Sequence, residues 1–303
     1  MLCIYLFILP VFCAFYRQNE ICDRNEVERI VAKIPTFVHN ERHCTGEMNL
    51  PEFGFIFIRR YFQTHFETVV SEVFHRALSS VEYGSALVLD IGANTGWFSA
   101  LAAHCYGAHV HAFEPQLECM VGACAVLRQN SIDDRVDWHV NFVAAQHFAK
   151  EIPDLFANDG SASLSLASCD PGFSSRQTKP PTGQITRVES IVIDEQFPTE
   201  RFAVIKIDTE GHEIEVLESM RNVLTQRRVP HIVVEVSPNW WPSAHSSSAL
   251  GRDCQTFIEL VYENGYEVRV LGSGHQIEKD KFEQWVRRYL KLGGGENIHI
   301  YIK

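Results

Sequence analysis

The sequence lacks the features that define disulfide-rich, repetitive or nucleic-acid-binding proteins. Its nine cysteines include no CxxC pair and have no regular spacing, so they do not form a disulfide framework. Positive charge is scarce: 27 Lys and Arg stand against 38 Asp and Glu, and no positive field would attract the phosphates of a nucleic acid. No internal repeat or low-complexity tract occurs. With 46% hydrophobic residues, the 303-residue chain has the composition of a globular protein.

Charge is also absent from residues 1–16, MLCIYLFILPVFCAFY, which are nearly all apolar. This run is shorter than the about 20 residues of a transmembrane helix, and it is typical of a signal peptide with a cleavage point near Cys13–Ala14. No Lys or Arg precedes it, so an uncleaved anchor is an alternative. We expect a secreted or secretory-pathway protein, with membrane-anchored and cytoplasmic locations left open. Any membrane association would run through residues 1–16 only. Residues 17–66 are predicted to be an N-terminal region and residues 67–303 the main domain.

Short apolar runs alternate with amphipathic stretches after Gly84. The runs predicted as strands cover residues 86–92, 109–115, 135–145, 202–208, 230–236, 266–271 and 297–303. Such alternation predicts an α/β fold with a doubly wound, mostly parallel sheet. The last two runs lack a clear crossover, so we expect them to pair antiparallel at one edge. Residues 150–190 are too long for a plain connection and are predicted to form a functional loop or lid.

The stretch LVLDIGANTGWFSA runs from the first predicted strand through a turn into a helix. Gly92, Asn94 and Gly96 suit a turn with left-handed backbone geometry. A dinucleotide fingerprint would need glycines where Asn94 and Trp97 stand, which disfavours an NAD-dependent oxidoreductase. Asp90, directly before the turn, would repel a phosphate and suits a cation.

S-adenosylmethionine is a ligand of that kind, because it combines an adenosine without phosphate with an ammonium and a sulfonium. Asp90 is predicted to hold the ammonium directly or through water. Glu114 ends the second strand, where a carboxylate can accept both ribose hydroxyls. The alternative is an ordinary strand–helix connection, which the combination of the turn with both acids disfavours.

Four segments together resemble the FkbM-type methyltransferases of the class I S-adenosylmethionine-dependent superfamily. They are DIGANTGWFS (90–99), HAFEP (111–115), KIDTEGHEIEVLE (206–218) and HIVVEV (231–236). The resemblance covers residues 67–270. It implies a seven-stranded Rossmann-like sheet and methyl transfer, usually to an oxygen, without an obligatory metal. It also implies that the cofactor is lined by Asp90, Gly92, Asn94, Gly96 and Glu114. One departure is that VNFVAAQ, after the third strand, has no acid to hold the adenine amino group.

The acidic segment VIKIDTEGHE, residues 204–213, contains the candidate catalytic residues. Asp208 ends the fourth strand, which should neighbour the first, so it is expected near the transferred methyl group. Asp208 and His212 are the best candidates for the base that removes the acceptor's proton, and Glu210 is a weaker one. The structural alternative is that Glu210 and Glu213 only begin the next helix. Lys206 lies on the same strand face as Asp208 and is expected to pair with Asp208 or Glu235.

Two other functions compete with a metal-independent methyltransferase that acts on a small-molecule or glycan hydroxyl. The first is a metal-dependent O-methyltransferase using Asp208, Glu210, His212 and Glu235 as ligands, which no HExxH motif supports. The second is a non-catalytic binding module on the same fold. We expect no metal, no nucleic-acid partner, and S-adenosylmethionine as the cofactor.

Overall fold

The computed structural model describes residues 67–116, 119–120, 123–124, 127–128, 130–153 and 185–303. The predicted leader at residues 1–16 and the N-terminal region at 17–66 lie outside the described residues. Within the described ranges, no helix combines the length and the apolar character needed to cross a membrane.

The elements are named in chain order. The strands are β1 (Leu87–Ile91), β2 (His109–Phe113), β3 (Val136–His139), β4 (Phe142–Val143), β5 (Ala149–Pro153), β6 (Ile185–Ile191), β7 (Val204–Ile207), β8 (His231–Val236), β9 (Glu267–Val270), β10 (Gln276–Ile277) and β11 (Glu296–Tyr301). The helices are α1 (Thr68–Ser79), α2 (Trp97–Tyr106), α3 (Ile193–Gln196), α4 (Glu213–Ser219), α5 (Arg221–Thr225), α6 (Ser247–Phe257) and α7 (Phe282–Leu292). The described residues between 119 and 128 are helical as well.

The main sheet has the strand order β10-β9-β11-β8-β7-β1-β2-β3. Five strands, from β3 to β8 in this order, pair in parallel. β11 pairs antiparallel with both β8 and β9, and β10 pairs antiparallel with β9. The expected neighbourhood of β1 and β7 is confirmed, which places the residues after these two strands at the same edge.

Strand periodicity divides the apolar side chains between two cores, one on each face of the sheet. Val88 and Val204 pack into the core that includes Phe98 of α2, whereas Leu89 and Ile205 pack into the other. Both cores are needed because helices cover both faces, which is the arrangement of a doubly wound α/β protein. The predicted fold class is confirmed.

Within the described residues the main sheet has eight strands rather than the expected seven. The extra strand is β10: the chain turns back after β9, with Gly274 in left-handed geometry (φ +69°), and buries Ile277. The last two predicted strands, β9 and β11, pair antiparallel with each other as expected, and β10 lies outside them. The antiparallel edge strand is therefore β10.

The segment predicted as a loop at residues 150–190 is bounded by strands. β5 and β6 pair antiparallel and form a small sheet with β4. The loop prediction is therefore wrong at both ends of the segment, and residues 154–184 lie outside the described part. Cys119 and Cys124 are buried and disulfide-bonded.

Candidate functional site

The turn after β1 adopts the left-handed geometry that its sequence predicts. The φ angles of Gly92, Asn94 and Gly96 are +76°, +49° and +75°. The backbone amides of Gly92 and Ala93 donate hydrogen bonds to the Phe113 carbonyl at 2.9 and 3.0 Å. The end of β2 therefore fixes the turn.

Two glycines of this turn are also required by close packing. A Cβ at Gly92 would lie 1.8 Å from the carbonyl oxygen of Asp208, so the turn rests directly on the residue that follows β7. A Cβ at Gly96 would lie 2.7 Å from the Trp138 ring and 2.9 Å from the Ala123 methyl group. A side chain at either position would clash with these neighbours, so both positions require glycine whatever ligand the turn holds.

Asp90 carries a buried carboxylate oxygen that accepts no hydrogen bond from the described residues. The side chain is 1% exposed, and its Oδ2 accepts from the amide (3.0 Å) and the hydroxyl (2.7 Å) of Ser99. Its Oδ1 has no hydrogen-bond partner in the described part of the chain. Burial raises the pKa of Asp90, while Lys206 and the Ser99 hydrogen bonds oppose that rise. A buried, unpaired carboxylate oxygen is costly in isolation, and the ammonium of S-adenosylmethionine fits it.

Glu114 stands beside the turn, at the carboxyl end of β2. It is 5% exposed, and its Oε2 accepts a 3.0 Å hydrogen bond from the Asn94 amide. Burial raises the pKa of Glu114 to about 7, against the hydrogen bonds from Gln116 and Asn94. The predicted cofactor residues of β1, its turn and β2 thus lie together at one edge of the sheet.

A lysine surrounded by carboxylates lies next to this turn. Lys206 Nζ lies 2.9 Å from Asp208 Oδ2 and 5.0 Å from the centre of the Phe98 ring. Burial acts to lower the pKa of Lys206, but the carboxylates of Asp208, Asp90 and Glu67 raise it overall. The predicted pairing of Lys206 with Asp208 is confirmed.

Glu67, Asp208 and Glu235 form a carboxylate group in which one oxygen of each lies within 4.8 Å of the others. Burial raises the pKa of Glu67, and it raises that of Glu235 to about 7, where Asp208 adds to the effect. Counting Asp90 as well, four carboxylates face one lysine. The site therefore favours a cationic ligand.

His212 and Glu210 have surroundings different from those of Asp208. His212 Nδ1 lies 4.0 Å from Glu215, and burial together with nearby Lys150 lowers the pKa of the imidazole. Glu210 lies in the loop after Asp208 with a φ of +52°. The structure groups Asp208, not His212, with Lys206 and the carboxylates.

Glu213 begins α4, as the sequence indicated, and the structure also buries its side chain. Its Oε1 accepts from the Gly211 amide at 2.7 Å, and its Oε2 accepts from the indole Nε1 of Trp241 at 2.6 Å. Burial raises the pKa of Glu213 to about 8, against these two hydrogen bonds. Glu213 thus joins the Asp208 loop to the turn after β8. Tertiary packing also places Glu67 in the site, although Glu67 belongs to none of the sequence motifs described above.

The family model described as "Methyltransferase FkbM domain" matches residues 90–268, which is more than half of the chain. The chain belongs to the FkbM methyltransferase family. It is therefore an S-adenosylmethionine-dependent methyltransferase. No curated protein matches it.

Several solved structures are similar to the chain at low identity. An FkbM methyltransferase from Methylobacillus flagellatus KT shares 13% identity over 91% of this chain and 58% of its own, with a TM-score of 0.43. An O-methyltransferase from Bacillus cereus, solved with SAH, shares 13% identity over 92% of this chain and 90% of its own, with a TM-score of 0.40. A geranyl diphosphate C-methyltransferase from Streptomyces coelicolor A3(2) shares 11% identity over 91% and 96%, with a TM-score of 0.40.

Proposed function

We propose that this methyltransferase methylates a hydroxyl oxygen of a small molecule or glycan, and that Asp208 is the catalytic base. The observation that carries the proposal is the position of Asp208: its backbone touches the cofactor turn at Gly92, and its side chain joins the carboxylate group. A hydroxyl must lose its proton as its oxygen is methylated, and a carboxylate at the reacting edge can accept it.

Lys206 supports this role for Asp208. It holds one carboxylate oxygen, Oδ2, by a 2.9 Å hydrogen bond and so fixes the orientation of the side chain. The Asp208 side chain is 22% exposed, which leaves it accessible to an acceptor from solvent, whereas Asp90 is fully buried. Asp90, Gly92, Asn94, Gly96 and Glu114 would hold the cofactor, which supplies the methyl group. His212 and Glu210 are the remaining candidates for the base.

A pair of substitutions separates cofactor binding from proton removal. Asp90→Asn should weaken S-adenosylhomocysteine binding, measured by calorimetry, because Oδ1 loses its charge beside the ammonium. Asp208→Asn should keep that binding but slow the transfer of radiolabelled methyl groups to acceptors in a glycan or small-molecule fraction. Asp280→Asn, at an exposed position, is the matched control. Full transfer by Asp208→Asn would exclude Asp208 as the base.

A metal-dependent O-methyltransferase is the second candidate, and one specific observation favours it. Glu67, Asp208 and Glu235 offer three oxygens within 4.8 Å of one another, which is a suitable donor set for Mg²⁺ or Ca²⁺. This set differs from the one that the sequence suggested, because Glu67 takes the place of Glu210 and His212. A non-catalytic binding module would bind S-adenosylhomocysteine without transferring methyl groups to any fraction.

We further propose that the protein enters the secretory pathway, where it is secreted or anchored through residues 1–16. The disulfide-bonded state of Cys119 and Cys124 supports this proposal, since disulfides persist mainly in oxidising compartments. Cell fractionation and sequencing of the mature N-terminus test it. A cytosolic protein that retains Met1 would exclude it.

A further inference from the structure

Glu114 has fewer free acceptor positions than its expected role requires. A carboxylate offers about four lone-pair sites on its two oxygens. Oε1 already accepts from the backbone amide of Gln116 at 3.0 Å and from its side-chain Nε2 at 3.2 Å. Oε2 accepts from the Asn94 amide at 3.0 Å. One position on Oε2 is left, so Glu114 can accept one ribose hydroxyl but not two.

Gln116 supplies the missing acceptor beside it. Its side-chain carbonyl, Oε1, is buried and has no hydrogen-bond partner among the residues that the structure describes. The orientation of the amide is fixed by Glu114, because Nε2 must be the atom that donates to the carboxylate. Because Oε1 and Nε2 belong to the same amide group, Oε1 lies close to the Nε2 atom that donates to Glu114. A buried carbonyl without a donor is unfavourable until a ligand provides one.

We propose that Gln116 binds the cofactor ribose, its Oε1 accepting the hydroxyl that Glu114 cannot accept. The two residues then divide the ribose edge between them: Glu114 takes one hydroxyl through Oε2, and Gln116 takes the other through Oε1. This proposal rests on the proposed cofactor site.

The test is calorimetric and needs no methyl acceptor. S-adenosylhomocysteine and its 2′-deoxy and 3′-deoxy analogues are titrated into the full-length protein and into Gln116→Met, which keeps the side-chain length but has no amide. Gln255→Met is the matched control, because Gln255 also donates from Nε2 to a carboxylate, that of Glu259 at 3.0 Å, but on an exposed surface.

The wild-type protein should bind both deoxy analogues more weakly than S-adenosylhomocysteine. Gln116→Met should bind S-adenosylhomocysteine about 3- to 10-fold more weakly, the value of one hydrogen bond. It should also lose discrimination against one deoxy analogue and keep it against the other. The comparison of the two deoxy analogues remains informative if the substitution perturbs the site, because a general disturbance weakens the binding of all three ligands alike.

Two results would overturn the proposal while leaving the cofactor site intact. One is unchanged affinity of Gln116→Met for S-adenosylhomocysteine. The other is an equal loss for all three ligands, which would give Gln116 a structural role only. Failure of the wild-type protein to bind S-adenosylhomocysteine would instead refute the proposed function and this inference together.

Discussion

The contact between Gly92 and Asp208 predicts a large effect for Gly92→Ala, and the chain contains a matched control. Gly92 and Gly293 have the same φ of +76°, so alanine suffers the same left-handed strain at both positions. Their surroundings differ. A Cβ at Gly293 meets no atom of the described residues within 4 Å, whereas one at Gly92 meets the Asp208 carbonyl oxygen at 1.8 Å.

The expected losses of stability follow from the left-handed backbone strain and from the steric contact of the added Cβ. Left-handed geometry costs an alanine about 1–2 kcal/mol, which is the expected loss of unfolding free energy for Gly293→Ala. At Gly92 the Asp208 carbonyl must retreat by at least 1.2 Å to reach the 3.0 Å limit of real Cβ contacts. The Asp208 amide, bonded to the Ile91 carbonyl at 2.9 Å, opposes that movement. Overpacking of this kind adds about 1–3 kcal/mol.

Urea denaturation of the two variants and the wild-type protein measures the difference. We expect Gly92→Ala to be less stable than Gly293→Ala by at least about 1 kcal/mol. Calorimetry should also show weaker S-adenosylhomocysteine binding in Gly92→Ala only, because the displaced turn carries Asn94 and directly follows Asp90 at the end of β1. Equal unfolding midpoints and equal affinities for the two variants would refute the close approach of the turn to Asp208.

Two further predictions concern titration and metal binding. Because burial raises the pKa of Glu213 to about 8, its contribution to stability is fully present below the unfolded pKa and is lost as the pH rises through 8. Between pH 5 and 8 the unfolding free energy of the wild-type protein should therefore fall more steeply than that of Glu213→Gln, by up to about 1.4 kcal/mol per pH unit. If the two proteins show parallel plots of unfolding free energy against pH, the pKa of Glu213 is not raised by burial. Treatment with EDTA should leave methyl transfer intact if Asp208 acts as a base without a metal ion. If EDTA abolishes transfer and Mg²⁺ restores it, the metal-dependent alternative is supported. In that case Mg²⁺ should not restore transfer in Glu235→Gln.

Local sequence was sufficient for the parts of the site that lie on one strand and its following turn. DIGANTG predicts a strand, a left-handed turn and a helix, because glycine and asparagine tolerate that backbone geometry. Strand alternation likewise places Lys206 and Asp208 on one face, and the structure pairs them. The extra strand β10 was missed because two residues give no periodic signal.

Contacts between distant segments were not predictable in this way. Glu67 lies far along the chain from Asp208 and Glu235, and only the packing of α1 on the sheet brings the three together. Glu213 has the sequence context of a helix start. Its burial depends on the turn after β8, which brings the Trp241 indole to it.

The sequence by itself determined the α/β architecture, the left-handed turn after β1 and the acids at the ends of β1, β2 and β7, because strand periodicity and glycine geometry are local properties. The tertiary structure decided which acceptors are already satisfied. Among the described residues, Asp90 Oδ1 and Gln116 Oε1 have no hydrogen-bond partner, while both carboxylate oxygens of Glu213 accept hydrogen bonds. Hydrogen bonds between separate strands and turns fix that difference, and a linear pattern does not contain them.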